Sequence, residues 1–249
     1  MSRSHHPRET PLRRPVTLIA GDRNSRHFGT TPYLADALAL SGKDAPLALY
    51  IGAASGDNAG FGRSLCALIE AAGAREVLWP KLTGKRREKA RARAALERVD
   101  FVFVGGGDVE AGVEALRETD LVGPLHTAAT RGVIFAGMSA GAIMLGERWV
   151  RWPRDDAGDD EAETYECLAI APCSLDTHGE ADRWRETQSF AAVRARETGK
   201  KARAYAVPSG GALVIAAGGT PTARGEPVPV FAASPGEKAQ LERTMEAKS

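Results

Sequence analysis

The residue with the strongest chemical signature is Ser139, at the centre of the segment Gly137-Met138-Ser139-Ala140-Gly141. An apolar run precedes this segment and a helical pattern follows it, as in a nucleophile elbow, the sharp strand-to-helix turn that exposes a reactive serine. The flanking glycines give the adjoining chain room to approach, and the helix N-terminus favours developing negative charge. The pattern therefore predicts a serine nucleophile for acyl transfer. The alternative is a tight β-α turn whose serine only caps the helix.

A glycine-rich turn, Gly105-Gly106-Gly107-Asp108, follows the apolar run Phe101–Val104 one β-α unit before the serine. In a wound sheet both turns open at the carboxyl ends of nearby strands, where sites form. Backbone N–H groups exposed by such a turn can stabilise an oxyanion. We predict an oxyanion hole formed by the N–H groups of Gly106 and Ala140. A phosphate-binding or purely structural turn is the alternative, although neither G-x-G-x-x-G nor a P-loop lysine follows.

His178 is the only histidine that follows the serine in the chain, and it lies in a segment that reads as a loop between a strand and a helix. A general base must be a group that can accept the serine proton near neutral pH, and histidine is the usual one. His178 is therefore the natural base for Ser139. A lone loop histidine is more often just solvated, so this interpretation depends on the elbow.

Composition excludes several other function classes. Lys plus Arg total 33 against 32 for Asp plus Glu, so no global charge favours nucleic acid or an anionic membrane. No apolar stretch approaches the roughly 20 residues of a membrane helix. The three cysteines, Cys66, Cys167 and Cys173, are scattered, which favours a reducing, cytoplasmic compartment over a disulfide framework. The cysteines and histidines do not have the spacing of metal ligands, so we expect neither a metal nor another cofactor.

The elements that must position these residues alternate along the first half of the chain. Short apolar runs typical of strands covered on both faces occur at Val16–Ala20, Leu47–Ile51, Val77–Trp79, Phe101–Val104 and Val133–Ala136. Amphipathic stretches that predict helices lie at Thr31–Leu40, Phe61–Ala72, Arg86–Arg98, Val109–Arg117 and Leu121–Thr130. Repeated β-α units predict an α/β fold with a mostly parallel, right-handed wound sheet.

The second half is less regular. The acidic segment from Asp155 to Glu166 predicts an exposed loop. Further elements are predicted as a short strand Leu168–Ala171, a helix Ala181–Glu197, a strand pair Ala204–Val207 and Ala212–Ala217 around a tight turn, a last strand Val228–Ala232 and a polar C-terminal helix from about Gly236. Residues 1–15 are polar and basic and predict a flexible N-terminal arm, which leaves residues 16–249 as a single α/β domain.

Three motifs in this order resemble the dipeptidase E and cyanophycinase family of serine peptidases: the strand followed by three glycines, the elbow, and the later Asp-Thr-His before an arginine-bearing helix. The match covers about Val16 to Ala217. The resemblance implies a three-layer α/β/α sandwich of the class I glutamine-amidotransferase-like, flavodoxin-like kind. It also implies Ser139 as nucleophile, His178 as base, and Gly106 with Ala140 as oxyanion donors.

The resemblance further implies a small peptide substrate that contains an aspartyl group. Asp176, Arg183 and Arg185 match positions that shape substrate recognition in the family, and Asp108 stands beside the site where the family usually has Asn or Gln. We expect Arg183 or Arg185 to point into the cleft and pair with a substrate carboxylate, because a guanidinium can bind that anion through two hydrogen bonds.

The third member of the catalytic triad departs from the family pattern. Ser209 stands where the family has a glutamate, so the imidazole of His178 has no anionic partner at that position. Asp176, Glu180 or Asp182 could supply a carboxylate from the histidine loop, or Ser209 could hold the ring by a neutral hydrogen bond. Loss of the charged partner slows a serine protease by roughly 10⁴ in the best-studied example.

Two functional hypotheses follow. The first is a serine peptidase that cleaves a small, aspartyl-containing peptide through a Ser139 acyl-enzyme. The second is a catalytically weakened or inactive binding or regulatory protein with the same fold, motivated by Ser209. An α/β-hydrolase esterase is disfavoured because no histidine follows His178. We expect a small peptide as partner, with no nucleic acid and no membrane, and the sequence leaves open whether the chain forms a homodimer.

Overall fold

The computed structural model describes residues 13–22, 30–85, 87–154 and 156–248. Its strands, in chain order, are β1 (Val16–Ile19), β2 (Leu47–Ile51), β3 (Glu76–Leu78), β4 (Phe101–Val104), β5 (Ile134–Met138), β6 (Arg148–Arg151), β7 (Glu163–Glu166), β8 (Leu175–Thr177), β9 (Ala202–Val207), β10 (Ala212–Ile215), β11 (Pro221–Arg224), β12 (Val228–Ala233) and β13 (Gln240–Met245). Its α-helices are α1 (Thr31–Ala39), α2 (Ala59–Ala71), α3 (Lys89–Leu96), α4 (Val109–Glu118), α5 (Val122–Arg131), α6 (Ala140–Leu145) and α7 (Arg185–Thr198).

The main sheet has the strand order β11-β10-β1-β5-β4-β2-β3. The five strands from β1 to β3 in that order pair in parallel, whereas β10 and β11 add two antiparallel strands at one edge. All residues of β1, β2, β4 and β5 are buried, as expected for parallel strands covered on both faces. The predicted α/β fold with a mostly parallel sheet is therefore confirmed.

Helices cover both faces of this sheet and form three layers. One core cluster joins sheet residues such as Ile19 and Phe103 to Leu34 of α1 and Leu65 of α2. The other joins alternate sheet residues to helices α3 to α6 and contains Leu18. Because neighbouring strand residues point to opposite faces, each parallel strand contributes to both cores. The strand ends are thus held rigidly, and the site residues lie at those ends.

A second sheet has the order β13-β12-β9-β8, with β8 and β9 parallel and the other pairs antiparallel. Helix α7 packs against β9 and β12, and Ala191 and Ala195 of the helix share a small buried cluster with Ala233. Strands β6 and β7 form a separate two-stranded sheet. The second sheet carries the histidine loop, whereas the main sheet carries the serine.

The structure corrects several predicted elements in the second half. The segments Ala204–Val207 and Ala212–Ala217 do not pair with each other, because β9 lies in the second sheet and β10 joins β1 in the main sheet. Leu168–Ala171 is not a strand, and the acidic segment contains strand β7. The predicted helix from Ala181 begins only at Arg185.

The predicted C-terminal helix is wrong as well. Residues 240–245 form strand β13, which pairs along β12. Glu242 on β13 bonds Lys201 and Arg203 across the sheet, at 2.7 and 2.6 Å. Strand pairing and these ion pairs outweigh the helical preference of a polar, Glu- and Lys-rich segment. The first twelve residues of the predicted N-terminal arm lie outside the described residues. Within the described ranges, no helix is both long and apolar enough to cross a membrane.

Candidate active site

Ser139 lies in the turn between β5 and α6, where its backbone adopts φ 54° and ψ −125°. A non-glycine residue at this φ is strained, at a typical cost of about 1–3 kcal/mol, and a nucleophile elbow stores strain of this kind. The N–H of Ser139 donates to the carbonyl of Ile19 on neighbouring β1 at 2.9 Å, which fixes the turn to the sheet. The serine is therefore placed at the N-terminus of α6 as predicted.

The glycines of the elbow are required by close backbone contacts. A Cβ on Gly137 would lie 2.5 Å from the carbonyl oxygen of Gly141, so strand and helix approach too closely for any side chain there. A Cβ on Gly141 would overlap the carbonyl of Val104 at the end of β4. The G-x-S-x-G spacing thus allows α6 to pack directly on two strands.

The glycine turn after β4 lies against the serine. A Cβ on Gly106 would lie 3.1 Å from the Cβ of Ser139 and 3.6 Å from its Oγ. Gly107 has φ 144°, and a side chain there would overlap the carbonyl of Ala54. On either side, the N–H groups of Gly105 and Asp108 donate to Ile51 and Ala54. The turn is therefore fixed with Gly106 beside the nucleophile, which suits the predicted oxyanion role of Gly106 and Ala140.

His178 immediately follows β8 and has a left-handed backbone, with φ 63°. Its Nδ1 lies 3.0 Å from Oγ of Ser209. This contact spans 31 residues and arises because β8 and β9 run parallel, with Thr177 opposite Val207, so the segments that follow both strands emerge side by side. Both Ser139 and His178 line the same cavity.

Three of the four candidates for the third triad member, Ser209, Glu180 and Asp176, occupy different places. Ser209 contacts the imidazole directly. A carboxylate oxygen of Glu180 accepts the backbone N–H of Ser209 at 2.6 Å, so this acid holds Ser209 in position. Asp176 is buried and accepts from the N–H of Thr177 and the hydroxyl of Thr187. The geometry therefore pairs His178 with a neutral hydroxyl at Nδ1.

Two cavities meet at the serine. The first, of about 540 Å³, is lined by Trp149 and by the carboxylates Asp22, Asp108, Asp176, Asp182 and Glu186, and we call it the acidic cavity. The second, of about 530 Å³, is lined by Ala20, Phe61 and Met138 among others, and we call it the second cavity. Ser139 and His178 line both. A substrate that spans both cavities would therefore pass the nucleophile.

Burial and the charges of neighbouring acids raise the pKa of two carboxyl groups in the acidic cavity. Burial, and then the neighbouring Glu186, raise the pKa of Asp176 to about 7. Burial also raises the pKa of Glu186, which accepts a hydrogen bond from Nε1 of Trp149 at 3.0 Å. Raised carboxyl pKa values arise where charged forms are poorly solvated and lie near like charges. Such groups mark functional sites more often than surface acids do.

The prediction that Arg183 or Arg185 points into the cleft does not match the structure. Neither side chain lines the acidic cavity or the second cavity. Arg185 is exposed, bonds Asp159 through Nε and Nη2, and stacks 5.0 Å from the ring centroid of Trp152. Asp182 accepts the backbone N–H of Arg185 where α7 begins, and the guanidinium lies against the acidic segment.

The remaining predicted substrate residues do line the acidic cavity. Asp108 also caps α4 by accepting the N–H of Ala111 at 2.8 Å. Sequence reasoning left open whether Trp149 is core or cavity wall, and it missed Glu186 and Phe61 as cavity residues. Glu186 follows Arg185 on the predicted helix, but no local pattern indicates which face of that helix meets the cavity. Among the described residues, no three His, Cys, Asp or Glu side chains are arranged to hold a metal ion.

Comparison with known proteins agrees with this architecture. A peptidase from an acI-B1 actinobacterium superposes with a TM-score of 0.64 at 14% identity, covering 96% of each chain. A protein assigned as peptidase E from Listeria monocytogenes EGD-e superposes with a TM-score of 0.59 at 14% identity, covering 85% of this chain and 98% of its own. A comparison with curated proteins gives no match. The model of peptidase family S51 matches residues 18–221, a range that contains the elbow, the glycine turn and His178. The chain therefore belongs to peptidase family S51, the dipeptidase E family.

Proposed function

We propose that the chain is a serine peptidase that hydrolyses an amide bond of a small peptide through an acyl-enzyme on Ser139. The observation that carries this proposal is the strained elbow at Ser139, packed against Gly106 and sharing its cavities with His178. Strain of this kind is maintained where it serves a function. Family membership supports a peptidase, and the elbow supports a serine nucleophile.

In the proposed reaction, Oγ of Ser139 bonds to the carbonyl carbon as its proton passes to His178. The N–H groups of Gly106 and Ala140 stabilise the resulting oxyanion. His178 then gives the proton to the departing amine, and the C–N bond breaks to leave the acyl-enzyme. A water molecule, deprotonated by His178, attacks the ester, and the proton returns to Ser139. Ser209 Oγ can accept a hydrogen from Nδ1, which leaves Nε2 as the basic nitrogen.

Aspartyl dipeptides are the first substrates to assay, because the resemblance to dipeptidase E and cyanophycinase implies them. Their carboxylate would not find Arg183 or Arg185 in either cavity, so recognition of the aspartyl group would have to use other residues. A small peptide is favoured because each cavity, at about 540 and 530 Å³, has the volume of a site for one small ligand group.

The test is labelling by a fluorophosphonate probe together with hydrolysis of a panel of dipeptides. Wild-type protein should be labelled at one serine, and Ser139→Ala should lose both labelling and hydrolysis while the fold is retained. Ser55→Ala is the matched control, because Ser55 lines the second cavity and its hydroxyl donates a hydrogen bond to the carbonyl oxygen of Gly52. Labelling that persists in Ser139→Ala and disappears in Ser55→Ala would overturn the assignment.

A second candidate function is a binding or regulatory protein with little or no turnover. The observation that favours it is the neutral Ser209 at Nδ1 of His178, since a hydroxyl stabilises an imidazolium less than a carboxylate does. Such a protein would resist the probe but still bind peptides. Ready labelling at Ser139 supports the peptidase, and failure to label at high probe concentration supports the binding protein.

A further inference from the structure

Residues 208–211 carry Ser209, whose hydroxyl contacts Nδ1 of His178, and we call this segment the Ser209 turn. The turn joins β9 of the second sheet to β10 of the main sheet, so the chain crosses between the two sheets here. Each flanking strand pairs with other strands, and a ladder between the two therefore does not set the direction of the turn. Contacts made by the turn itself have to hold the hydroxyl of Ser209 towards the imidazole.

Hydrogen bonds from three directions fix the Ser209 turn. The N–H of Gly210 donates to the carbonyl of Gly21, just beyond β1, at 2.9 Å. The N–H of Ser209 donates to the carboxylate of Glu180 in the histidine loop. The carbonyl of Gly210 is bound from a third element, helix α1.

Tyr33 of α1 makes this third contact. Its hydroxyl donates to the carbonyl oxygen of Gly210 at 2.6 Å, although the two residues are 177 positions apart in the chain. A Cβ on Gly225 would overlap the same hydroxyl, so the glycine at that position leaves room for the phenol. Burial raises the pKa of Tyr33, and the phenol therefore keeps its proton and remains a donor near neutral pH.

Helix α1 packs on the part of the main sheet that carries the serine. Leu34, next to Tyr33 on the helix, shares a buried cluster with Met138, the residue directly before Ser139. Close-packed cores transmit small displacements instead of absorbing them. The hydrogen bond of Tyr33 therefore connects the turn that supports His178 to the same packed core as the strand that ends at Ser139.

We propose that Tyr33 is a positioning residue: by holding the carbonyl of Gly210, its hydroxyl keeps Ser209 aligned with Nδ1 of His178. A hydrogen bond weakens steeply as its distance and angle depart from the optimum, so a small shift of the turn loosens the imidazole. The catalytic consequence rests on the proposed function, in which an aligned Ser209 leaves Nε2 as the basic nitrogen. The orientation of the ring can be measured without turnover.

The first experiment reads the tautomer of His178 by nitrogen NMR of protein that contains isotope-labelled histidine, with His178→Gln to assign the signal. At about pH 8, where a free histidine is neutral, wild-type protein should carry its proton on Nδ1. Tyr33→Phe removes only the hydroxyl and should shift the signal towards an average of two exchanging tautomers, as should Ser209→Ala. An unchanged signal in Tyr33→Phe, or a wild-type proton on Nε2, would overturn the inference.

Asp36→Asn is the matched control. Asp36 lies one helical turn after Tyr33 on α1 and binds Arg224 of β11 at 3.3 Å, so its replacement loosens the helix without touching the Ser209 turn. This variant should keep the wild-type tautomer of His178. The same tautomer change in Asp36→Asn and Tyr33→Phe would indicate a general loosening of α1 and would contradict a specific role of the phenol.

A double-mutant cycle separates positioning from a simple loss of stability. Tyr33→Phe should lower kcat and the rate of fluorophosphonate labelling about fivefold. KM should change less than about twofold, because Tyr33 lines neither the acidic cavity nor the second cavity. In the Ser209→Ala protein the same substitution should have almost no further effect, since no hydroxyl is left to align.

Equal slowing in both backgrounds would overturn the positioning role, and thermal unfolding of each variant confirms that it is folded at the assay temperature. Failure of the wild-type protein to label at Ser139 would overturn the proposed peptidase instead. The tautomer measurement would still decide the role of Tyr33, so the two failures are distinguishable.

Discussion

At the scale of single residues, the chemistry of this site depends on what surrounds His178. Its Nδ1 faces the hydroxyl of Ser209 at 3.0 Å, and Ser209 is itself held by Glu180 through its backbone N–H. A hydroxyl can keep the ring in the tautomer that leaves Nε2 basic. It provides no full negative charge for the imidazolium that would form in the proposed attack, so slow turnover is the expected consequence.

Restoring an acid at position 209 tests this account. Ser209→Glu should raise kcat by roughly tenfold or more, since a carboxylate stabilises the charged ring. Gly210 and Gly211 follow directly and leave the longer side chain room to reorient. Ser209→Ala, which removes the hydrogen bond, should lower kcat, and steady-state kinetics on one peptide would measure both. A flat response to both changes would mean that position 209 does not support the base.

The ionisation of Asp176 makes the free energy of unfolding depend on pH. Its carboxyl is buried, with a pKa of about 7 against 3.8 in an unfolded chain. Below about pH 4 it is protonated in both states. As pH rises towards 7, the unfolded chain ionises first, so the native state progressively loses stability, and above 7 the loss is complete. The cost at high pH is on the order of 2–4 kcal/mol.

The substitution Asp176→Asn should therefore make the protein more stable than wild type at pH 8, with the difference shrinking towards pH 4. Denaturant unfolding at a series of pH values measures this. The exposed Asp44→Asn is the control and should show no pH-dependent gain. A constant difference across the series would show that the carboxyl of Asp176 is ionised throughout.

At the scale of elements, the elbow requires the strand, the turn and the helix to pack so closely that no side chain fits between their backbones. Gly141 lies where a Cβ would overlap the carbonyl of Val104, so α6 sits directly on the end of β4. The same closeness places Ser139 beside the glycine turn that follows β4. Any displacement of α6 would therefore move Ser139, the proposed nucleophile, relative to Gly106, a proposed oxyanion donor.

We predict that Gly141→Ala displaces α6, lowers the free energy of unfolding by about 1–3 kcal/mol and reduces fluorophosphonate labelling at least tenfold. Gly123→Ala is the matched control, because Gly123 is an exposed residue of α5 with nothing within 4 Å of an added Cβ. That change should stabilise the protein by up to about 1 kcal/mol and leave labelling intact. Thermal unfolding and labelling rates measured on both variants would decide the matter, and normal labelling of Gly141→Ala would contradict the packing argument.

At the scale of the whole molecule, the site lies where two sheets meet. The main sheet contributes Ser139 and the glycine turn, and the second sheet contributes His178 and Ser209 through parallel β8 and β9. In the described part of the chain, β12 pairs with β9 along one edge and with β13 along the other, and β13 has no second strand partner. Both β12 and β13 lie beyond the residues that match the family model. Their contribution to the site is through β9.

Two truncations test this arrangement. Deletion of residues 236–249 removes β13, whose side chains are mostly exposed, and should lower Tm by about 2–8 °C while probe labelling is retained. Deletion of residues 226–249 also removes β12, whose Val228 and Val230 are fully buried, and should abolish labelling as β9 loses its support. Labelling that survives the longer deletion would show that β8 and β9 hold His178 without β12.

Features that depend on neighbouring residues could be predicted from the sequence. Apolar runs predicted the parallel strands, because a strand covered on both faces has apolar side chains throughout. Amphipathic stretches predicted most helices, because a helix buried on one face repeats its apolar residues every three to four positions. The elbow around Ser139 and the turn at Gly106 were readable because tight backbone contact admits only glycine at particular spacings. These inferences needed no knowledge of distant residues.

The tertiary structure alone decided which distant groups meet. Ser209 reaches His178 across 31 residues because β8 and β9 pair in parallel, and no local pattern encodes that register. Arg185 binds Asp159 instead of lining the cavity, and no local pattern brings these two residues, 26 positions apart, together. Residues 240–245 form a strand because an unpaired edge of β12 offers hydrogen bonds that outweigh weak helical preferences. Contacts between elements are made by side chains and edges whose direction depends on the complete fold, which is why they could not be predicted from the residues in sequence.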